Sequence, residues 1–331
     1  MRLTCKARTL LEEAEEQRMC AAPTAPSKKR VLRRALGSGE VTSPVRGIYA
    51  SRQYWEELSA SDRAMHQIRA LAKLHPDWVF AGPSAGLIHG FSLASEQFHR
   101  PTIATSKAAH SRCAVDVSRI VVTGDHTTTR NGIRVTSFLR TLYDCVRTSG
   151  FGRGLAIADS AAKMKGITGE RLANNLSVIC ERRSSSKMVV EVARLADGRS
   201  ENGGESIARA AMMHLGFAVP DLQREVIDPI EPEHSYFVDF AWELLDGTTL
   251  FGELDGKAKY TDIDMTGGRD VTEVLLSERR REARLTMGSR PVKVMRFSFA
   301  EVCDLASFAR LLRSYGVPPA WRVVEAAQRW P

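Results

Sequence analysis

The chain has 331 residues, 43% of them hydrophobic, and its 47 Lys and Arg against 39 Asp and Glu leave a net charge of +8. That length allows two or three domains with buried cores, and the basic excess suits a polyanionic partner such as nucleic acid. No run of about 18 apolar residues occurs, which excludes a membrane-spanning helix, and six scattered cysteines without a C-x-x-C pair argue against a zinc cluster or a disulfide framework.

In chain order, residues 7–19 have helical spacing, with Leu10, Leu11 and Ala14 on one side. Glu12, Glu13, Glu15 and Glu16 deny this segment the apolar core of a signal peptide, so a cytoplasmic setting is expected. After Pro23 and Pro26 comes a short basic helix, in which Lys28, Lys29, Arg30, Arg33 and Arg34 surround Val31, Leu32, Ala35 and Leu36. The next residues read as a hairpin, from Val41 through Ser43-Pro44 and Arg46 to Ile48-Tyr49. A basic helix followed by a two-stranded wing is how a winged helix meets DNA, the helix in the major groove and the wing on the backbone. The same charge pattern also suits a solvated helix at a domain edge.

Residues 54–195 mix helices and strands. "PDWVFAGPSAGLIHGF" predicts strand, turn and helix; "RPTIATS" and "VSRIVVTG" predict strands. "NGIRVTSFLRTLYDCVR" predicts a strand opened by an Asn-Gly turn, then a helix with Ser137 near its cap. Two further helices follow. His89 and His126 each stand alone, which fits packed or surface histidines better than catalytic ones. A boundary is expected near 195. Beyond it the order is helix ("GESIARAAMMHLGF"), strand ("LQREVID"), strand ("YFVDFAWELL"), strand ("TTLFGELDGKAKY"), charged helix ("TEVLLSERRREARLTMG"), strand ("RPVKVMRFSF") and closing helix ("AEVCDLASFARLLRSYG").

The two central strands of this last unit carry the chemistry. Alternation puts Phe251, Glu253, Asp255 and Lys257 on one face of the later strand, and Phe237, Asp239 and Ala241 on one side of the earlier. A two-residue hairpin loop would turn Asp239 away from Glu253. A three-residue loop, Leu245-Asp246-Gly247, with Gly247 left-handed, brings the two level, and this register is expected. Carboxylates held so close repel. A hard divalent cation such as Mg2+ (or Mn2+) would relieve the repulsion and activate water against a phosphate. Lys257 would orient that water or neutralise developing charge, and Glu205 would add a further ligand or hold a metal-bound water. The same charges also suit an edge strand guarded against aggregation.

At these residues the chain resembles the PD-(D/E)XK nuclease superfamily, and within it the small bacterial proteins related to very short patch repair endonucleases. Their core reads V-D-F, then E-x-D-G; here these are Val238-Asp239-Phe240 and Glu253-Leu254-Asp255-Gly256. The resemblance covers residues 200–315 and includes Gly204-Glu205-Ser206 and "SERRREARL". It implies metal binding by Asp239, Glu253 and Asp255, and a catalytic role for Lys257 in Asp255-Gly256-Lys257. It also implies a polar or basic contribution from the late helix, Glu278 or Arg281. Val238 stands where a proline precedes the acid in the motif. The first half resembles the AbiEi-type antitoxins of abortive-infection systems, through "RGIYA" at 46–50, "GPSAGLIHGF" at 82–91 and "VTSFLRTLYD" at 135–144.

The expected α/β (α+β) chain thus has a winged-helix-like segment (1–52), an AbiEi-like α/β domain (53–195) and a restriction-endonuclease-like mixed sheet flanked by helices (196–331). The expected partner is double-stranded DNA, touched by Lys28, Lys29, Arg30, Arg33, Arg34, Arg46 and Arg281, with a cognate toxin or defence partner second. The expected activity is metal-dependent DNA endonuclease in phage defence or DNA repair. The alternatives are a non-catalytic antitoxin or transcriptional repressor, and a defence effector silenced by a partner.

Overall fold

The computed structural model describes residues 3–106, 116–180, 185–255, 271–287, 291–321 and 324–330, with backbone alone at 271–275 and 329. The protein is mixed α/β, and among the described residues no helix is long and apolar enough to cross a membrane. It parts into two compact units, Met1–Thr148 with Val178–Arg182, and Ser149–Ser177 with Arg183–Pro331.

In the first unit the Thr4 hydroxyl accepts the Ala7 N–H and opens α1 (Cys5–Glu16), which buries Ala7, Leu11 and Ala14. Pro26 sits in the first turn of α2 (Pro26–Ala35). N–H groups there have no intrahelical partner in any case, so proline opens this helix instead of breaking it. Leu32 and Ala35 face inward. β1 (Val41–Thr42) pairs antiparallel with β2 (Ala50–Ser51), and Ala21 bridges Tyr49 beside them. Then come α3 (Arg52–Glu57), α4 (Ala60–Leu74), α5 (Gly82–His89), β3 (Thr102–Thr105) parallel to β4 (Ser118–Val121), β5 (Thr127–Arg130) antiparallel to β6 (Ile133–Thr136), and α6 (Phe138–Thr148). Asn131 and Gly132 both have positive φ, 50° and 75°, the conformation of a two-residue hairpin turn. His89 is buried and donates from Nε2 to the Thr136 carbonyl at 2.9 Å. Leu11, Leu32 and Ile48 share one core with Ile68, Phe80 and Val135. Packing therefore runs across residue 52, where a segment boundary was expected, because two short helices and a hairpin bury too little apolar surface alone.

The second unit begins with α7 (Phe151–Lys165), α8 (Gly169–Cys180) as far as Ser177, and α9 (Ser186–Arg194), followed by α10 (Gly203–His214). Arg209 of α10 grips Asp159 of α7 through Nη2, at 2.8 and 3.0 Å from its two oxygens, and Asp159 also accepts the Asp197 N–H. This buried pair ties α7 to the sheet-bearing part, so residues 149–177 pack with the C-terminal unit and not with a middle domain. The sheet has the order β10-β9-β8-β7. β7 (Asp221–Ile227), β8 (Ser235–Glu243) and β9 (Thr249–Asp255) are antiparallel. β10 (Val292–Ser298) runs parallel to β9, which requires a crossover, and α11 (Val271–Leu285) lies within it. The expected closing helix is two, α12 (Phe299–Cys303) and α13 (Leu305–Ser314), because Asp304 leaves helical geometry and caps the second through the Ser307 N–H.

The sheet is covered on both faces. Phe240, Trp242 and Leu250 pack with Ala208 and Met212 of α10 and Phe308 and Leu312 of α13. Val238, Ala241 and Phe251 pack with Leu285 of α11. At the β8–β9 turn the Leu244 N–H donates to Thr248 O and Gly247 has φ 81°. The loop is Leu245-Asp246-Gly247, and the ladder pairs Phe240 with Gly252 and Trp242 with Leu250. The three-residue turn expected from the sequence is the turn observed.

Candidate functional site

Continuing that register by one residue brings Asp239 level with Glu253. The strand alternation, however, turns over at this point. Phe240 and Trp242 belong to one core, while Tyr236 and Val238 join Ala241 on the other face. The pivot is the Gln223–Asp239 pair: the β7–β8 ladder skips it, and Gln223 holds φ 48°. A non-glycine residue costs roughly 1–3 kcal/mol to hold in such a conformation. Freed from the ladder, the Asp239 carboxylate accepts the Leu254 N–H at 2.9 Å and the Gln223 amide at 3.3 Å.

The same amide donates to Glu205 at 3.2 Å, so Gln223 stands between two carboxylates. Glu205 is buried in the first turn of α10. Asn202 caps that helix through Oδ1, and Glu205 folds back to accept the Glu201 N–H at 2.7 Å and the Asn202 side-chain amide at 2.6 Å. Burial raises the Glu205 carboxyl to about 7; the Asp239 charge pushes the same way, against the lowering by the Glu201 N–H.

Glu253 and Asp255 belong to a different polar group. Arg296 of β10 is the register partner of Glu253. Its guanidinium lies 3.3 Å from Glu253 Oε2 and 3.3 Å from Asp255 Oδ1, with Glu278 at 3.8 Å and Glu282 at 3.9 Å. Arg281 of α11 takes the other Glu253 oxygen at 2.7 Å and donates to the Phe237 carbonyl at 2.6 Å. Arg281, expected among the DNA contacts, is thus turned inward onto the acidic strand. Glu278, the other late-helix candidate, reaches the same cluster through Arg296.

The five residues expected to form one catalytic set are therefore distributed. Glu205 and Asp239 meet across Gln223, Glu253 and Asp255 meet across Arg296, and Lys257 lies outside the described residues. An all-carboxylate donor set suits a hard cation such as Mg2+. Yet among the described residues no group of three or more His, Cys, Asp or Glu side chains is placed to hold a metal ion. As arranged, the acids do not fit one divalent ion, because the strand turnover at Asp239 parts them and arginines neutralise the second pair. Gln223 and Arg296 escaped the sequence reading. An arginine between Met295 and Phe297 in an apolar strand was the available signal for the second; Gln223 had none, since its neighbours come from other elements.

The basic surface lies in the first unit. Lys28, Lys29, Arg30, Arg33, Arg34 and Arg46 are all exposed, and none is ion-paired among the described residues. Lys29 and Arg33 of α2 line one hollow together with Ser43, Arg46 and Tyr49 of the hairpin. Three cations converging beside hydroxyl groups offer charge and donors to a phosphate. Arg279 and Arg280 on α11 of the second unit are exposed as well. Against known proteins, no family model, curated protein or solved structure matches the chain.

Proposed function

We propose that the chain binds double-stranded DNA through its N-terminal unit and that its C-terminal unit is an endonuclease-like domain directed at DNA phosphodiesters. The observation that carries this reading is Asp239. It sits where β8 leaves β9, its carboxylate on the Leu254 N–H between Glu253 and Asp255, with Glu205 drawn toward it through Gln223. The order of α10, three antiparallel strands, α11 and a parallel β10 supports the restriction-endonuclease-like arrangement that the V-D-F and E-x-D-G motifs imply. Mg2+ or Mn2+ is the cofactor this reading requires, and phage defence or DNA repair is its setting. The unpaired cations of α2 and the hairpin supply the salt-dependent hold on duplex DNA.

A specific observation favours a second reading. Glu253 and Asp255 are charge-neutralised by ion pairs with Arg281 and Arg296, as suits a non-catalytic AbiEi-type antitoxin or repressor with a cognate toxin or defence partner. Purified full chain with supercoiled plasmid, in Mg2+ or Mn2+ with and without chelator, separates the two. Chelator-sensitive nicking lost in Asp239→Asn supports the nuclease. Tight duplex binding with no nicking in either metal supports the repressor. A chain that neither binds nor nicks DNA removes both.

A further inference from the structure

We propose that the hollow between α2 and the β1–β2 hairpin is a binding site for a phosphate monoester, and that on DNA it takes a terminal phosphate in preference to the bridging phosphates of an unbroken strand. The hollow has a volume of about 440 Å3, within the range of about 300–1,000 Å3 usual for small-molecule sites. Lys29 and Arg33, one turn apart on α2, line it from one side, and Arg46 lines it from the hairpin. Among the described residues no carboxylate lines it. A second observation is independent of charge. Tyr49 lines the same hollow while only 7% exposed, and among the described residues its phenol hydroxyl has no hydrogen-bond partner. A tyrosine buried to this degree normally finds a partner for its hydroxyl, so the open donor marks a place that a ligand oxygen completes.

The backbone that carries these groups is already ordered. The Ser43 hydroxyl donates to the Val45 carbonyl at 3.1 Å and to the Ile48 carbonyl at 2.9 Å, and the Ile48 N–H donates to the Val45 carbonyl at 3.1 Å. Gly47 takes φ 96° within this turn, a conformation other residues avoid. Arg46 thus projects from a pinned loop, and Lys29 and Arg33 from a helix anchored by buried Leu32 and Ala35, which lowers the ordering cost of binding. Charge then selects the ligand. A bridging phosphate of DNA carries one negative charge. A phosphate monoester carries about −1.5 to −2 at pH 7 and offers three acceptor oxygens. Three cations and a phenol donor around one hollow exceed the needs of a single charge and match the monoester. Leu36, 37% exposed, lines the same hollow and offers apolar surface to a sugar. This assignment rests on the reading of the N-terminal unit as DNA-binding, and it names the part of the DNA that the unit prefers.

The test is fluorescence anisotropy of the full chain, without divalent metal and at one salt concentration, with a short labelled duplex carrying either phosphate or hydroxyl at all of its 5′ and 3′ ends. The phosphorylated duplex is expected to bind about ten-fold tighter, the size of one charge-assisted contact. Tyr49→Phe removes only the hydroxyl and is expected to cut that preference to about three-fold. Combining Arg33→Ala with Arg46→Ala is expected to abolish it. Equal affinity of the unaltered chain for the two duplexes overturns the phosphate site and leaves DNA binding standing, as does a preference that survives in the arginine double variant. A deoxynucleoside monophosphate, titrated by calorimetry against the same chain, separates a DNA end from a free nucleotide. It is expected to bind more weakly than the phosphorylated duplex. The reverse order keeps the phosphate site and overturns the DNA end as its ligand. Mononucleotide binding with no binding of either duplex does the same and removes the DNA-binding reading as well. A chain that binds neither duplex nor mononucleotide removes both.

Discussion

Replacing Glu205 by Gln tests the acidic pair without any assay of function. The Glu205 carboxyl is raised from 4.5 to about 7. The folded protein therefore holds a proton that the unfolded chain releases near 4.5. The stability Glu205 contributes is complete below that value and is lost as pH rises through about 7. At about 1.4 kcal/mol per unit, the penalty at pH 8 is about 3 kcal/mol, of which less than 1 kcal/mol is already present at pH 5. Glutamine keeps the size and cannot ionise. It forfeits some hydrogen bonding, since its amide faces donors from Glu201, Asn202 and Gln223, but that loss is the same at both pH values. Urea unfolding of the two chains at pH 5 and pH 8 should thus show the balance moving toward Glu205→Gln by about 2–3 kcal/mol on going to pH 8. A carboxyl-carbon titration by NMR should place the midpoint near 7 directly. A stability difference independent of pH would refute the account of Glu205 as a carboxylate held against Asp239 in a buried site.

Combining Arg33→Ala with Arg46→Ala should weaken duplex binding and reduce the slope of log affinity against log salt by about 0.9 for each phosphate no longer neutralised; fluorescence anisotropy with an unchanged slope would remove the α2–hairpin hollow from the interface. Arg209→Met leaves Asp159 as a buried carboxylate without its cation, so urea unfolding should show a loss of about 3–5 kcal/mol, and a loss under about 1 kcal/mol would contradict the role given to this pair. His66 is buried, donates from Nδ1 to the Asp62 carbonyl and accepts the Tyr54 hydroxyl at Nε2, and burial lowers its proton affinity from the ordinary 6.5. Stability should hold above about 6.5 and fall as acid protonates the unfolded chain first, and His66→Gln should lose less than the unaltered chain between pH 7.5 and 5.5. Gly247→Ala forces a side chain into φ 81° and should cost about 1 kcal/mol, with an unchanged unfolding midpoint counting against the three-residue turn.

Much of the framework was legible because its causes are local. Alternation in "YFVDFAW" and "TLFGELD", with Asp246-Gly247 between them, was enough for the hairpin and its register, since a left-handed glycine in a three-residue loop leaves one pairing. Asn131-Gly132 marked the β5–β6 turn in the same way. The break of the last helix at Asp304 was less legible, because "AEVCDLASFARLL" keeps helical spacing across it and only the cap on Ser307 reveals the interruption.

What the sequence determined by itself is the inventory: a basic helix and hairpin at one end, and an acidic V-D-F and E-L-D pair on adjacent strands at the other. Whether those acids share one centre was decided by tertiary structure alone. Periodicity reports which face of its own strand a side chain takes, within a few residues. It does not see the turnover that Gln223 imposes from β7, nor the guanidiniums that α11 and β10 bring to Glu253 and Asp255. Carboxylates are neutralised by whatever charge lies within a few ångströms in space, and only the folded chain sets that distance.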